Sequence, residues 1–435
     1  MISPQEYQQR RSKLMQQIGN DGIAIIATNP EYSRTQDTSF HFRPNGNFYY
    51  LTGFAEPDAI AVLIPDNNAG KFILFNHPQQ TDLAIWEGHR AGQRGAVQDF
   101  AADQAYSITD LPSVLSKLIQ NKKKLFYQFE LVDDNAMYFT AWQNQLQRLL
   151  PVDNTMQMTF NVTTLLNEMR LIKSPTELEI LRHTANINNE AHQQAMKTCM
   201  PGMSEIQLSA ELNYVYGRHN CLAMAYLPIV AAGDNACTLH YLAGEKLLQD
   251  GELVLIDMGN EYQYYASDVT RTFPINGKFS RSQKAIYELV LRAQSAVLAA
   301  IKPGIAFDSL QRLTIRILTA GLVELGILKG NIEQLINERA YFDFYMHNIG
   351  HWMGLDVHDV SPYKVDDCWR QLETGMVLTV EPGIYIQANN EKVDKQWRGI
   401  GVRIEDNIIV TETGHENLNA AIPKTIQQIE TLMAK

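Results

Sequence analysis

Four acidic side chains stand where the surrounding sequence argues for burial. Asp257 ends the apolar run Leu253-Val254-Leu255-Ile256, and Glu381 ends Val377-Leu378-Thr379-Val380. Runs this apolar are read as buried strands, and a buried carboxylate is costly unless it is paired or bound to a cation. Asp268 follows Asp257 across Gly259-Asn260, a pair that suits a hairpin turn, so two antiparallel strands would set the two aspartates side by side. In Gly401-Val402-Arg403-Ile404-Glu405 the strand alternation puts Arg403 and Glu405 on one face. An arginine beside an inward glutamate reads as charge compensation. Any one of these acids alone would be read as a strand-end carboxylate reaching solvent. Their shared pattern argues against that for the group.

Histidines gather as well. His347, His351 and His358 fall in one short stretch of a chain that holds 11 histidines. The even spacing of His347 and His351 places both on one face of an extended segment, while His358 needs a bend that Gly354 could supply. A lone histidine would be read as structural; three beside apolar residues point to a site. Carboxylates and imidazoles together can hold divalent cations and move protons.

The elements that must position these groups can be read from their stop and start signals. Ser3-Pro4-Gln5-Glu6 opens a helix, with Ser3 as cap and Glu6 able to close a capping box, and that helix is expected to end near Gly19. Ile23–Ala27, Ala59–Ile64 and Lys71–Phe75 read as strands, and Leu111–Ile119 and Met137–Leu150 as helices. Alternation of this kind predicts an α/β N-terminal domain. Ser174-Pro175-Thr176-Glu177 opens a long helix that Pro201-Gly202 stops, and Ser204 with Gln207 caps the next. The boundary is placed before that long helix, giving domains 1–170 and 171–435.

The second domain hints at an internal repeat. Helix, Pro-Gly and helix recur around Pro201-Gly202 and, from a helix beginning at Ser282, around Pro303-Gly304. The two apolar runs ending in Asp257 and Glu381 match in the same order. Two half-domains would then each deliver acidic strand ends to a shared centre.

Bulk properties bound the function. The 435 residues suit two domains, and 45% hydrophobic with 20% charged residues is ordinary for a soluble globular protein. A net charge of −11 argues against a nucleic-acid partner. Four cysteines without a CxxC pair fit a reduced, cytoplasmic compartment. The polar stretch Met1–Gln17 contains no secretory apolar region, and no run approaches a membrane span.

The ordered set Asp257, Asp268, His351, Glu381 and Glu405 resembles the ligands of the "pita-bread" metallopeptidases of family M24, which include methionine aminopeptidase, prolidase and aminopeptidase P. His347-Asn348-Ile349-Gly350-His351-Trp352-Met353-Gly354-Leu355-Asp356-Val357-His358-Asp359 resembles the signature shared by the last two, with Asn348 as a departure. Arg43, Asn45, Asn47-Phe48-Tyr49-Tyr50-Leu51-Thr52-Gly53-Phe54 and Glu56-Pro57 resemble the aminopeptidase P N-terminal domain. The resemblance spans nearly the whole chain and implies an α/β (α+β) protein. An N-terminal domain for oligomerisation and substrate access would precede a pita-bread catalytic domain with an internal pseudo-twofold repeat.

The implied activity is release of an N-terminal residue from peptides with proline second, by attack of a hydroxide bridging two divalent cations. By resemblance, Asp257 would bind one cation, His351 and Glu381 the other, and Asp268 and Glu405 would bridge. Oxygen-rich ligands with one imidazole suit manganese, as the family implies. Glu381 would shuttle the proton and His358 would bond the substrate carbonyl or the tetrahedral intermediate. His240 would help hold the substrate or transition state. His347 and Tyr363 would line the proline pocket, and Arg403 would orient Asp268 or Tyr363. Asp37 and Trp86 would reach the peptide's amino end. After Tyr363 the chain reads Lys364-Val365-Asp366-Asp367 where the family has an arginine, so recognition beyond proline is expected to differ. A homodimer or homotetramer is implied. The alternatives are a prolidase restricted to Xaa-Pro dipeptides and a metal-free peptide-binding module. Creatinase-like amidinohydrolases lack this acidic set.

Overall fold

The computed structural model describes residues 1–67, 70–79, 81–128, 148 and 158–434. The chain divides into two compact units, Met1–Arg170 and Leu171–Lys435.

In the first unit a helix spans Pro4–Ile18, where Ser3 Oγ accepts from the Glu6 N–H at 3.2 Å and Gly19 ends the helix at φ 78°. The Glu6 carboxylate pairs with Arg10 at 2.7 Å. Arg10 and Arg11 donate to the carbonyls of Tyr50 and Leu51, at 3.1 and 2.9 Å, in the last turn of the helix Gly46–Thr52, where the helix dipole favours cations. That short helix is the Asn47–Gly53 motif. Asn45 caps its start by accepting from the Asn47 and Phe48 N–H groups, and Gly53 closes it in the left-handed region. Six strands form one sheet: β1 Gly22–Ala27, β2 Ile60–Ile64, β3 Lys71–Asn76, β4 Gln104–Ser107, β5 Lys124–Tyr127 and β6 Met158–Asn161, in the order β4-β3-β2-β1-β5-β6. The inner pairs β1–β2 and β2–β3 are antiparallel; β3–β4, β1–β5 and β5–β6 are parallel. The helix Leu111–Leu118 packs its apolar side onto this sheet. The helix expected over Met137–Leu150 lies outside the described residues, Arg148 excepted.

The second unit holds two helix pairs. Capping boxes start the helices Pro175–Thr198, Glu205–Arg218 and Arg281–Ala300, from Ser174 with Glu177, Ser204 with Gln207, and Ser280 with Gln283. Phe307–Glu324 follows the third of these. The third helix therefore starts one residue before the expected Ser282, because Ser280 provides the cap.

The strands are β7 Ala223–Met224, β8 Ile229–Ala232, β9 Leu253–Asp257, β10 Asn260–Tyr262, β11 Tyr265–Ala266, β12 Thr270–Pro274, β13 Lys364–Val365, β14 Cys368–Trp369, β15 Val377–Val380, β16 Gly383–Ile386, β17 Ile400–Arg403, β18 Asp406–Val410 and β19 His415–Asn417. Three-stranded sheets β12-β9-β8 and β15-β18-β19 lie one in each half. The halves share a detail that supports the repeat. Gly202 N–H donates to Leu248 O, and Leu248 N–H to Met203 O; Gly304 N–H donates to Leu372 O, and Leu372 N–H to Ile305 O. Leu248 and Leu372 stand equally far ahead of Asp257 and Glu381.

One turn differs from expectation. Gly259-Asn260 is not the hairpin turn: the strands continue past it, and the chain reverses at Gln263 and Tyr264, with φ 51° and 66°. Paired positive φ values are what a two-residue hairpin needs. Gly259 serves close approach instead, since a Cβ there would sit 1.8 Å from Ser267 O.

Candidate active site

Strand ends carry the acids to one place. On β9 and β12, Asp257 lies opposite Thr270, so Asp268, two residues before Thr270, is its diagonal neighbour on the same face. On β15, the Thr379 N–H donates to His351 O and the Glu381 N–H to Ile349 O, while Trp352 bridges Leu378. His351 is thus held in an extended segment beside the strand that ends at Glu381. Glu405 stands between β17 and β18, its N–H donating to Thr270 O, which brings the second half against β12.

These groups line one cavity of about 90 Å³, together with Leu239, His240, His347, His358 and Arg403. Asp268, His351 and Glu405 each present a donor atom within 4.8 Å of the others. His351 Nε2 lies 3.2 Å from Asp268 Oδ2 and 3.7 Å from Glu381 Oε1. His351 Nδ1 sits 2.9 Å from Trp352 O; donation there leaves Nε2 facing the carboxylates, the orientation of a metal-binding imidazole.

Arg403 corrects an expectation. It orients neither Asp268 nor Tyr363. Its Nη2 donates to Asp257 Oδ2 at 2.5 Å, Nη1 to Tyr385 Oη at 3.0 Å, and Nε to Thr270 Oγ1 at 3.0 Å. The reason is register: Arg403 lies opposite Gly383 on β16, two residues from Tyr385. Thr270 Oγ1 in turn donates to Glu405 Oε2 at 2.7 Å, and Tyr385 Oη is 2.9 Å from His347 Nε2. Tyr226, from the segment between β7 and β8, places its hydroxyl 2.6 Å from both Asp257 Oδ1 and Asp268 Oδ1.

Burial and crowding set the protonation equilibria. Burial raises the Glu381 carboxyl to about 7; His351 and Arg403 oppose this, and Asp268 and Asp257 add repulsion. Burial also raises Asp268, against the hydrogen bond from His351, and lifts Glu405 well up, with Asp268 and Glu381 adding to it. Burial opposes charging of His351, yet the hydrogen bond and charge of Asp268 carry it to about 9. His347 and His358 are both lowered to about 4 by burial, with Arg403 adding repulsion for the first and His351 for the second. His358 lies against His351, ring centres 4.0 Å apart. Four crowded carboxylates with the His351 imidazole among them are a donor set suited to divalent cations, and the chemistry of the residues fits them.

Tyr363 does not line this cavity. It lines a neighbouring one of about 580 Å³ with Phe307, Ile349, Pro362 and Trp369, its ring stacked on Trp352 and its Oη accepting from the Trp352 N–H at 3.2 Å. Asp37 and Trp86 belong to the first unit and are exposed, Trp86 to 86%. Sequence reasoning missed Tyr226, Thr270 and Tyr385. The last two carry a signal, since Asp268 with Thr270, and Glu381 with Tyr385, recur at even spacings that share a strand face. Tyr226 carries none.

A two-half catalytic unit that gathers acids and an imidazole at its centre is the architecture of a metallopeptidase. Residues 179–412 match metallopeptidase family M24, and residues 7–127 match the aminopeptidase P N-terminal domain. The chain belongs to metallopeptidase family M24. It is 41% identical to the Xaa-Pro aminopeptidase of Escherichia coli (strain K12) over 438 residues, covering 99% of this chain and 98% of that protein. The structure of Pseudomonas aeruginosa aminopeptidase PepP superposes with a TM-score of 0.94 at 44% identity, covering 100% of this chain and 98% of that one. Aminopeptidase P from E. coli with the inhibitor Pro-Leu gives a TM-score of 0.94 at 41% identity, covering 99% and 98%. The expected fold class holds: an α/β N-terminal unit precedes a mixed helix–strand catalytic unit.

Proposed function

We propose that this chain is an Xaa-Pro aminopeptidase that uses two divalent cations, manganese in the first instance, to release the residue preceding proline. The observation that carries the reading is the convergence of Asp257, Asp268, His351, Glu381 and Glu405 on one cavity. Asp257 would hold one cation, His351 and Glu381 the other, and Asp268 and Glu405 both. When bound, the cations supply Lewis-acid polarisation of the scissile carbonyl and water ionised near neutral pH.

The chain's own residues do the rest. Glu381 takes a proton at the cavity and delivers it to the proline nitrogen, a tertiary amide nitrogen with no N–H of its own. His358, its charging disfavoured by partial desolvation and by His351 alongside, offers a hydrogen bond to the substrate oxygen, and His240 flanks the same cavity. Arg403 fixes Asp257 and, through Tyr385, His347. The full-length likeness to Xaa-Pro aminopeptidases supports an aminopeptidase over a dipeptidase. Asp37 and Trp86 are proposed substrate contacts on sequence resemblance alone. Among the described residues no helix is long and apolar enough to cross a membrane. None of the four cysteines stands in a disulfide; a cytoplasmic site of action and a dimer or tetramer are proposed from the family.

Rates on Arg-Pro-Pro, Xaa-Pro and Xaa-Ala peptides, with and without added manganese, test the reading. Manganese-stimulated cleavage of the tripeptide is expected. Cleavage confined to the dipeptide would make the protein a prolidase, and no cleavage of either would sink the proposal.

A further inference from the structure

The hydroxyl of Tyr226 has one hydrogen and two carboxylate oxygens at 2.6 Å, Asp257 Oδ1 and Asp268 Oδ1. Each aspartate's other oxygen faces a different cationic side chain: Asp257 Oδ2 takes Arg403 Nη2, and Asp268 Oδ2 faces His351 Nε2. Among the described residues, the phenol is the one hydrogen-bonding group that the two carboxylates share. Two buried carboxylates drawn to a single donor repel each other at that point. Their placement is then held by whatever fixes the phenol.

The fold fixes it on two sides. The Ala225 N–H donates to Gly259 O at 2.9 Å, and Asn260 on β10 pairs with Met224 on β7, which ties the Tyr226 segment to the residues just past Asp257. The ring lies against Gly259, where a Cβ would fall 3.1 Å from Tyr226 Cε1. Asp268 is anchored by its backbone instead: its N–H donates to Asn407 Oδ1 at 3.0 Å, and Asn407 Nδ2 donates to its carbonyl. Side chain and backbone of Asp268 are therefore held by different partners, the first by Tyr226 and His351, the second by Asn407.

We propose that Tyr226 is a positioning residue for the cation pair: its single hydroxyl, shared by Asp257 at the end of β9 and Asp268 just before β12, holds their carboxylates at a fixed separation and so sets the affinity for the cation that Asp257 holds. The inference rests on the reading of Asp257 and Asp268 as cation ligands. Groups that orient a ligand without touching the ion typically change affinity by about ten- to a hundredfold when removed. Tyr226→Phe keeps the ring in its niche beside Gly259 and removes only the hydroxyl.

The test is calorimetric titration of manganese into metal-depleted wild type and Tyr226→Phe, with thermal unfolding of both metal-depleted proteins. At least one manganese Kd is expected to rise by about ten- to a hundredfold in the variant. Both constants staying within about threefold of wild type, in a folded variant, would overturn the role of Tyr226 while leaving the cation reading intact. Wild type that binds no manganese would overturn the cation reading itself. Should Tyr226→Phe fail to fold, Tyr226→Phe with Asp268→Asn decides the matter. A folded double variant shows that carboxylate repulsion is what the hydroxyl restrains, and an unfolded one rejects the proposal.

Discussion

Replacing Asp359 by alanine removes the anionic half of an ion pair sealed from water. Lys173 Nζ lies 2.8 Å from Asp359 Oδ2, with side-chain exposures of 1% and 2%. Among the described residues the next oxygen bonded to the ammonium is Leu171 O at 3.5 Å, too long to replace the carboxylate. Gly354 makes room for the pair, since a Cβ there would meet Asp359 Oδ2 at 2.3 Å and Lys173 Cε at 2.9 Å. An ammonium left buried without its counter-ion costs about 3–5 kcal/mol. For a unit of this size that is a fall in Tm on the order of 10 °C. The control is Lys173→Met with Asp359→Leu, which removes both charges and is expected to return to within about 2 kcal/mol of wild type. Calorimetric melting of the three proteins measures both quantities. A double variant no more stable than Asp359→Ala, or a single variant that loses under about 1 kcal/mol, would refute the argument that charge burial is the cause. Because His358 precedes Asp359, the single variant is also expected to lose activity below its melting point.

His192 gives a pH test. It is fully buried with Nε2 3.1 Å from Met258 O, and burial lowers it to about 4. A histidine depressed in the folded state takes its proton first in the unfolded chain, so stability is intact above pH ~6.5 and falls by about 3 kcal/mol on the way to pH ~4. His192→Gln is expected to flatten that slope in urea melts taken across the window, and an unchanged slope would remove His192 as its source. Tyr385→Phe breaks the contact between Arg403 and His347 and leaves buried polar groups short of a partner, so kcat/KM is expected to fall by about tenfold or more with little change in fold; steady-state kinetics with circular dichroism checks both. Gly259→Ala forces a Cβ against Ser267 O, and soluble yield and Tm should both drop sharply. Chelation should abolish activity and manganese restore it; manganese at about a hundredfold over Kd should add about 2.7 kcal/mol of apparent stability for each site it fills.

Much of this was legible because period and punctuation are local. The apolar runs before Asp257 and Glu381 are β9 and β15, and the Ser174 and Ser204 caps lie where their spacing to Glu177 and Gln207 puts them. The turn at Gln263-Tyr264 was not legible, because neither residue is a usual left-handed former and tertiary pairing overrides local preference. The partners of Arg403 were misread because strand alternation gives a face but not what stands across it. That follows from the pairing of β16 with β17 and from the approach of β9, which are long-range facts. Tyr226 stayed hidden for the same reason: a phenol in a connecting segment acquires its meaning from strands 31 and 42 residues away. The curled segment His347–His358 was read as a strand with a bend. It is an extended stretch beside β15 followed by bends, with Gly354 giving space to the Lys173–Asp359 pair.

The matched halves of the catalytic unit have a mechanical corollary. Asp257 and Asp268 come from the earlier half; His351, Glu381 and Glu405 come from the later one. A divalent cation seated among them would act as a rivet driven through the joint. Stripping the ions would slacken that seam before it disturbed either half's interior, and amide exchange should quicken first along the facing edges of β12 and β17.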